Sequence, residues 1–226
     1  MLFHSTWTSL PRPHSFSEFG MTAESNPSIS LNEFTYRRGR EIYGEKEPAD
    51  YVYQVMSGAA RSYRLLSDGR RQISAFHLPG DIFGLGNGVH RFTTEAVIDT
   101  AVRLVKRESL ETLANNDNAL VKNLLCMTTT NLQHAEDHLL LLGRKTSMER
   151  VAACLIEMDG RLIAAGVLAL PMTRRDIADY LGLTIETISR SLSCLRELGV
   201  LHFMDNNQRH VVIMDRNKLA ELDRQN

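Results

Sequence analysis

Glu186, Ser189 and Arg190 follow one another at i, i+3 and i+4, and together they carry the hydrogen-bonding groups that read base-pair edges. An arginine can pair through two N–H groups with O6 and N7 of guanine. A carboxylate can accept from the cytosine amino group, and a serine hydroxyl is permissive. On a helix these positions share one face, so the bland alternative is a solvated Glu186–Arg190 ion pair worth about 0.3–0.5 kcal/mol. Beside them, Thr184 and Thr187 offer hydroxyls, and Arg174 and Arg175 offer cations, for phosphate contacts. Over 172–198, Arg174, Arg175, Arg190 and Arg196 are balanced by Asp176, Asp179, Glu186 and Glu197, four of each. A neutral segment of this kind must use hydroxyls, backbone amides and helix N-termini for many phosphate contacts.

Two helices are needed to present that face. Thr173 with Asp176 three residues on is a capping signature for the first. Ile177, Ala178 and Leu181 give it an apolar side, and Gly182 ends it. Thr184 can cap the second, with Ile185, Ile188, Leu192, Leu195 and Leu198 inward. Ala178, Gly182 and Ile188 stand where a helix-turn-helix needs a small residue, a turn glycine and a buried branched residue. The N-terminal end of the second helix is the end that reaches the major-groove floor. Runs at 200–203 and 210–213, alternating around a polar turn, predict a hairpin wing.

The rest of the chain gives context for this motif. Its 226 residues carry a net charge of −1, so no basic domain marks a nucleic-acid partner and the local motif must carry the reading. Cys126, Cys154 and Cys194 form no CxxC pair. This argues against disulfides, structural zinc or a local iron–sulfur set, and suits a reducing cytoplasm. No apolar run nears the roughly 20 residues of a membrane span, and the start lacks a secretory pattern. A cytoplasmic location is therefore expected, with no membrane partner.

Residues 1–30 are Ser-, Pro- and His-rich and predict a mobile tail, within which Met21 is an alternative start. Over 31–115, short β-type runs are punctuated by Gly58, Gly69 and Gly80, the rhythm of an antiparallel barrel or roll. A short helix over 109–115 then leads to a long one over about 119–142, within a segment 116–144 assigned to dimerisation. Leu120, Leu124, Met127, Asn131 and His134 form one stripe on it, taken as the dimer face. Leu125, Leu132 and Leu139, with Val121, Thr128, Ala135 and Leu142, form another. Apolar residues on two faces suit a helix that packs on its own domain and on a partner. A further helix is expected over 147–165, and the region 145–226 forms the winged helix-turn-helix.

His134 and His138 lack the HExxH order and read as solvated or dimer-facing, and His77 reads as an isolated strand histidine. No metal site is expected. Cys194, four residues beyond Arg190, is a candidate redox thiol whose oxidation would add negative charge near DNA.

The stretch Gly182-Leu-Thr-Ile-Glu-Thr-Ile-Ser-Arg190, with Met172-Thr-Arg-Arg-Asp-Ile-Ala-Asp-Tyr180 before it, resembles the recognition motif of the Crp/Fnr superfamily. Its Glu-x-x-Ser-Arg order is that of the Fnr and FixK branches. Leu139-Leu-Leu-Leu-Gly-Arg-Lys145 and Glu149-Arg-Val-Ala-Ala153 resemble the segment joining the two domains there. The resemblance spans about 30–220 and implies an α+β fold. It orders an N-terminal antiparallel β-roll of the cyclic-nucleotide-binding, jelly-roll kind, a long dimerisation helix and a C-terminal winged helix-turn-helix. It implies a homodimer on double-stranded DNA, with Glu186, Ser189 and Arg190 contacting bases in TTGA-type palindromes. Half-site centres would lie about 34–36 Å apart. Ile185 stands where cyclic-AMP-type members carry a further base-reading arginine, which favours TTGA over TGTGA.

Departures bear on control. Residues 1–125 hold no cysteine, unlike the cluster-bearing Fnr proteins. Phe83-Gly84-Leu85-Gly86 lacks the glutamate of nucleotide-binding members, and Phe92 separates Arg91 from Thr93. The expectation is a FixK-type activator without a cofactor, touching RNA polymerase and having no enzyme activity. A ligand- or haem-gated sensor, or a repressor, could use the same fold.

Overall fold

The computed structural model describes residues 32–115, 117–164, 166–205 and 208–224. The tail predicted over 1–30, and with it the choice of start, lies outside the described residues.

Strands β1 (Asn32–Tyr36), β2 (Glu41–Tyr43), β3 (Tyr51–Ser57), β4 (Ala60–Leu65), β5 (Arg71–His77), β6 (Ile82–Phe83), β7 (Thr93–Ala96) and β8 (Thr100–Lys106) build the roll. They pair antiparallel in two four-stranded sheets, β1-β8-β3-β6 and β2-β7-β4-β5. Tyr43, Tyr53, Val55, Phe83 and Val102, drawn from both sheets, form the core between them. At the β3–β4 turn, Gly58 has φ +89°, and a Cβ there would fall 2.4 Å from the carbonyl oxygen of Asp99, so only glycine fits.

Helix α1 (Arg107–Ala114) follows, then α2 (Asn118–Arg144), whose 27 residues extend about 40 Å. Asp117 caps α2 by accepting from the amides of Ala119 at 2.8 Å and Leu120 at 3.2 Å. The two stripes on α2 differ in exposure, and the one expected at the dimer face packs in part on the roll. Leu120 and Met127 are buried with Val52, Ile82 and Val105 of their own roll and Leu110 of α1, and Leu124 packs beside them. Val121, Leu125, Leu132 and Leu139 lie exposed, at 43%, 65%, 57% and 71%. Adjacent positions differ by about 100° around a helix, so one stripe can seat on the roll while the other faces away. Asn131 is exposed and His134 half-buried. His138 departs from the solvated reading, since it stacks on Tyr180 at 4.2 Å between centroids.

Beyond α2 come α3 (Ser147–Leu162), β9 (Ile163–Ala164), β10 (Val167–Ala169), α4 (Arg174–Leu181), α5 (Ile185–Glu197), β11 (Leu201–Phe203), β12 (His210–Ile213) and α6 (Arg216–Arg224). The helix expected to reach 165 stops at Leu162, because Ile163–Ala164 pair antiparallel with Val167–Ala169 and join the wing. The sheet order there is β11-β12-β10-β9. Leu168, on β10, is buried in the core of this half. The sequence reading also omitted α6. It is held on α3 by Leu219, which is buried, and by Arg216, whose Nε lies 2.8 Å from Asp159 Oδ2.

Candidate nucleic-acid interface

Helices α4 and α5 are set by their ends. Thr173 Oγ1 accepts from the Asp176 amide at 3.2 Å, and Asp176 Oδ2 accepts in return from the Thr173 amide at 2.9 Å. Gly182 ends α4 in the left-handed region at φ +62°, and the Leu183 amide donates back to the Ala178 carbonyl at 3.0 Å. That turn throws α5 across α4 over Ala178 and Ile188, both buried. Thr184 opens α5, its Oγ1 accepting from the Thr187 amide at 3.2 Å.

On the outward side, Glu186 and Arg190 are exposed and Ser189 is half-buried. Among the described residues no salt bridge joins Glu186 to Arg190, so the bland ion-pair alternative is not what the chain forms. The Glu186 carboxyl is held below its ordinary range by its own backbone amide, then by the Thr184 hydroxyl, and further by the Arg190 and Arg175 charges. It therefore stays an ionised acceptor at neutral pH. Arg175 is exposed and Thr187 half-buried. Arg174, a candidate phosphate contact, is half-buried, and its Nη1 donates to Ser189 Oγ at 2.9 Å. Cys194 is half-buried on α5, Cys126 exposed and Cys154 buried.

The structure adds residues that motif reading had missed. Arg71 Nη2 lies 2.6 Å from Asp176 Oδ1 and 2.7 Å from Asp179 Oδ2, and Arg61 pairs with both Asp176 and Glu95. These bonds hold α4 against β4 and β5 of the roll. Across the same boundary His138 stacks on Tyr180, which meets Phe76 with tilted rings 5.2 Å apart, and Tyr180 donates to Glu157 at 3.2 Å. Arg150 donates to the carbonyls of Leu142 at 2.8 Å, Lys145 at 2.9 Å and Leu181 at 3.0 Å, tying the end of α2 to α4. Only the position of Arg150 in a linker-like stretch could have hinted at this.

In the roll, rings fill the space. His77 stacks on Phe83 at 4.5 Å, Phe83 on Tyr53 at 5.3 Å, Tyr53 meets Tyr43 at 5.2 Å, and Tyr43 stacks on His90 at 3.6 Å. Phe83 opens one of the two segments that depart from the nucleotide-holding pattern, His90 directly precedes the other, and Arg91 is exposed. Among the described residues no three His, Cys, Asp or Glu are grouped to hold a metal, and no helix is long and apolar enough to cross a membrane.

Comparison with known proteins agrees with this geometry. Residues 149–222 match the Crp-like helix-turn-helix domain family, and residues 33–117 match the cyclic nucleotide-binding domain family. The nitrogen fixation regulation protein FixK of Rhizobium meliloti is 44% identical over 172 residues, 76% of this chain and 78% of that protein. The transcriptional activator protein FnrL of Cereibacter sphaeroides is 33% identical over 196 residues, 83% of this chain and 78% of that one. The structure of FixK2 from Bradyrhizobium japonicum superposes with a TM-score of 0.83 at 61% identity, covering 86% of this chain and 98% of that chain.

Proposed function

This chain belongs to the Crp/Fnr family of transcription regulators, on its FixK-type branch, and from that premise we propose that it activates transcription as a homodimer on TTGA-type palindromes. The observation that carries the reading is the outward end of α5, where Glu186 and Arg190 stand exposed one turn apart. Arg190 would pair with guanine, Glu186 would accept from a cytosine amino group, and Ser189 would complete the face. Thr184, Thr187 and Arg175 would supply phosphate contacts, while Arg174 is engaged by the Ser189 hydroxyl. The roll at 31–115 and the winged helix-turn-helix at 145–226 would be joined by the dimerisation helix at 116–144.

The dimer face follows from the exposed stripe Val121, Leu125, Leu132 and Leu139 in place of the stripe that packs on the roll. Its 3–4 spacing, with Thr128 and Ala135 between, is that of a coiled-coil seam. The aromatic filling of the roll supports action without a cofactor. An activating role is in keeping with the name of the FnrL relative, a transcriptional activator protein, and would proceed by contact with RNA polymerase in the cytoplasm. Sedimentation of the protein with a full palindrome and with a single half-site tests this. Two chains per palindrome, with much weaker binding to the half-site, are expected, whereas one chain bound equally to both would refute it.

A further inference from the structure

We propose that Arg174 is a positioning residue for sequence specificity, turning the Ser189 hydroxyl into a hydrogen-bond donor that selects a base acceptor. The proposal rests on the base-reading assignment above.

The bond between Arg174 Nη1 and Ser189 Oγ, 2.9 Å long, can run in one direction only. A guanidinium carries N–H donors and no acceptor, so Oγ accepts. A hydroxyl has one proton and two lone pairs. With a cation on one lone pair, Oγ is polarised, its proton becomes a better donor, and the N–H of a base meets the positive guanidinium nearby. Among the described residues no protein acceptor takes the Ser189 proton. Ser189 sits one residue before Arg190, on the side of α5 that carries Glu186. The half-burial of both partners keeps the bond out of bulk water, and burial also lowers the Arg174 pKa without removing its charge.

Major-groove edges divide sharply for such a serine. Thymine O4, guanine O6 and N7, and adenine N7 accept, whereas cytosine N4 and adenine N6 donate. A serine free to rotate tolerates either kind. Held by Arg174, it discriminates between them. Arg174 thereby acts on specificity, where a plain phosphate contact would weaken all sequences alike.

The test uses the full chain with a panel of duplexes changed at each base of the half-site. Wild type, Ser189→Ala, Arg174→Ala and the double variant are titrated on it. Both single variants are expected to lose discrimination at the same base, and the double variant to lose no more than either. That corresponds to a coupling between about 2- and 100-fold. A uniform loss for Arg174→Ala, with a salt slope lower by about 1 and full discrimination retained, overturns the proposal.

A second arm leaves Arg174 unchanged and does not depend on how its variants fold. Wild type and Ser189→Ala are titrated on duplexes carrying 7-deazapurines, or pyrimidinones lacking O4, and on duplexes in which purine replaces adenine to delete the amino group. Deleting an acceptor should abolish the Ser189-dependent preference, and deleting an amino group should leave it. The reverse pattern overturns the donor role. Absence of any wild-type preference for TTGA duplexes is a distinct result, which overturns the base-reading assignment itself and the inference with it.

Discussion

Arg71, on β5 of the roll, brings Nη2 to 2.6 Å from Oδ1 of Asp176, whose other oxygen closes the capping box of α4. One carboxylate thus serves two purposes. It accepts from the Thr173 amide at the start of the first helix of the helix-turn-helix, and it docks that helix on the roll. Its side chain is 3% exposed. Burial alone would push its pKa up, but bonds from Thr173 and the charges of Arg61 and Arg71 outweigh burial and hold it below the ordinary value.

Asp176→Ala should therefore lower stability by about 3 kcal/mol, because it removes a buried carboxylate shared by Arg61 and Arg71, leaving them only Glu95 and Asp179, and opens the capping box of α4. Denaturant unfolding of the variant checks this, and a loss under about 1 kcal/mol would match a surface pair instead. A folded-state pKa below the unfolded one gives stability that is complete above the unfolded pKa and is lost as pH falls through the folded value. The Asp176 contribution should accordingly be full at neutral pH and fade below about pH 4, the ordinary carboxyl range.

The exposed stripe of α2 predicts a separation between assembly and folding. Leu132→Glu or Leu139→Glu puts a charge on the proposed seam and should yield a folded monomer with weakened operator binding. Leu120→Ala instead opens a cavity under the roll and should cost about 2–5 kcal/mol of stability while the chain still dimerises when folded. Sedimentation and thermal melting distinguish the two classes. A dimeric Leu132→Glu chain would remove α2 from the interface.

His138 is shielded where α2 meets α4, and burial lowers its pKa from the usual histidine range despite the opposing charge of Glu157. A histidine with a depressed folded pKa favours folding above its unfolded value and disfavours it as pH falls. Stability should decline as pH drops below about 6.5. His138→Phe, which keeps the stack on Tyr180, should make that decline shallower, with His90 supplying part of what remains, since burial lowers its pKa too. Unfolding free energies between pH 5 and pH 8, with identical slopes in both proteins, would contradict this.

The filled roll makes a further prediction. A ligand that binds only the folded state at about 100 times its Kd adds about 2.7 kcal/mol. Millimolar cyclic AMP or cyclic GMP should leave the melting temperature unmoved, whereas a rise of several degrees would show that the aromatic stack opens to admit it.

Much of this was legible in the sequence because it is local. The capping box at Thr173 and Asp176, the turn at Gly182 and the outward trio on α5 follow from spacing within about 20 residues. Assigning the α2 stripes was not possible that way. Leu120 and Leu125 both recur at helical spacing, and only the seat of the helix on Val52 and Val105 says which is inner. The hairpin of β9 and β10 escaped because a two-residue strand continues an apolar helical pattern until Gly166. Arg61, Arg71 and Asp176 pair across more than 100 residues, where no periodicity reaches.

The most direct test is a binding titration of the purified full chain, with no added ligand, on a TTGAT-N4-ATCAA duplex and on a TGTGA-type palindrome. Arg190→Ala is run beside it. Selective binding to the TTGA duplex is expected, with a loss of about 1–3 kcal/mol per half-site in the variant. Equal, weak and strongly salt-dependent association with both duplexes, unchanged by Arg190→Ala, would contradict it.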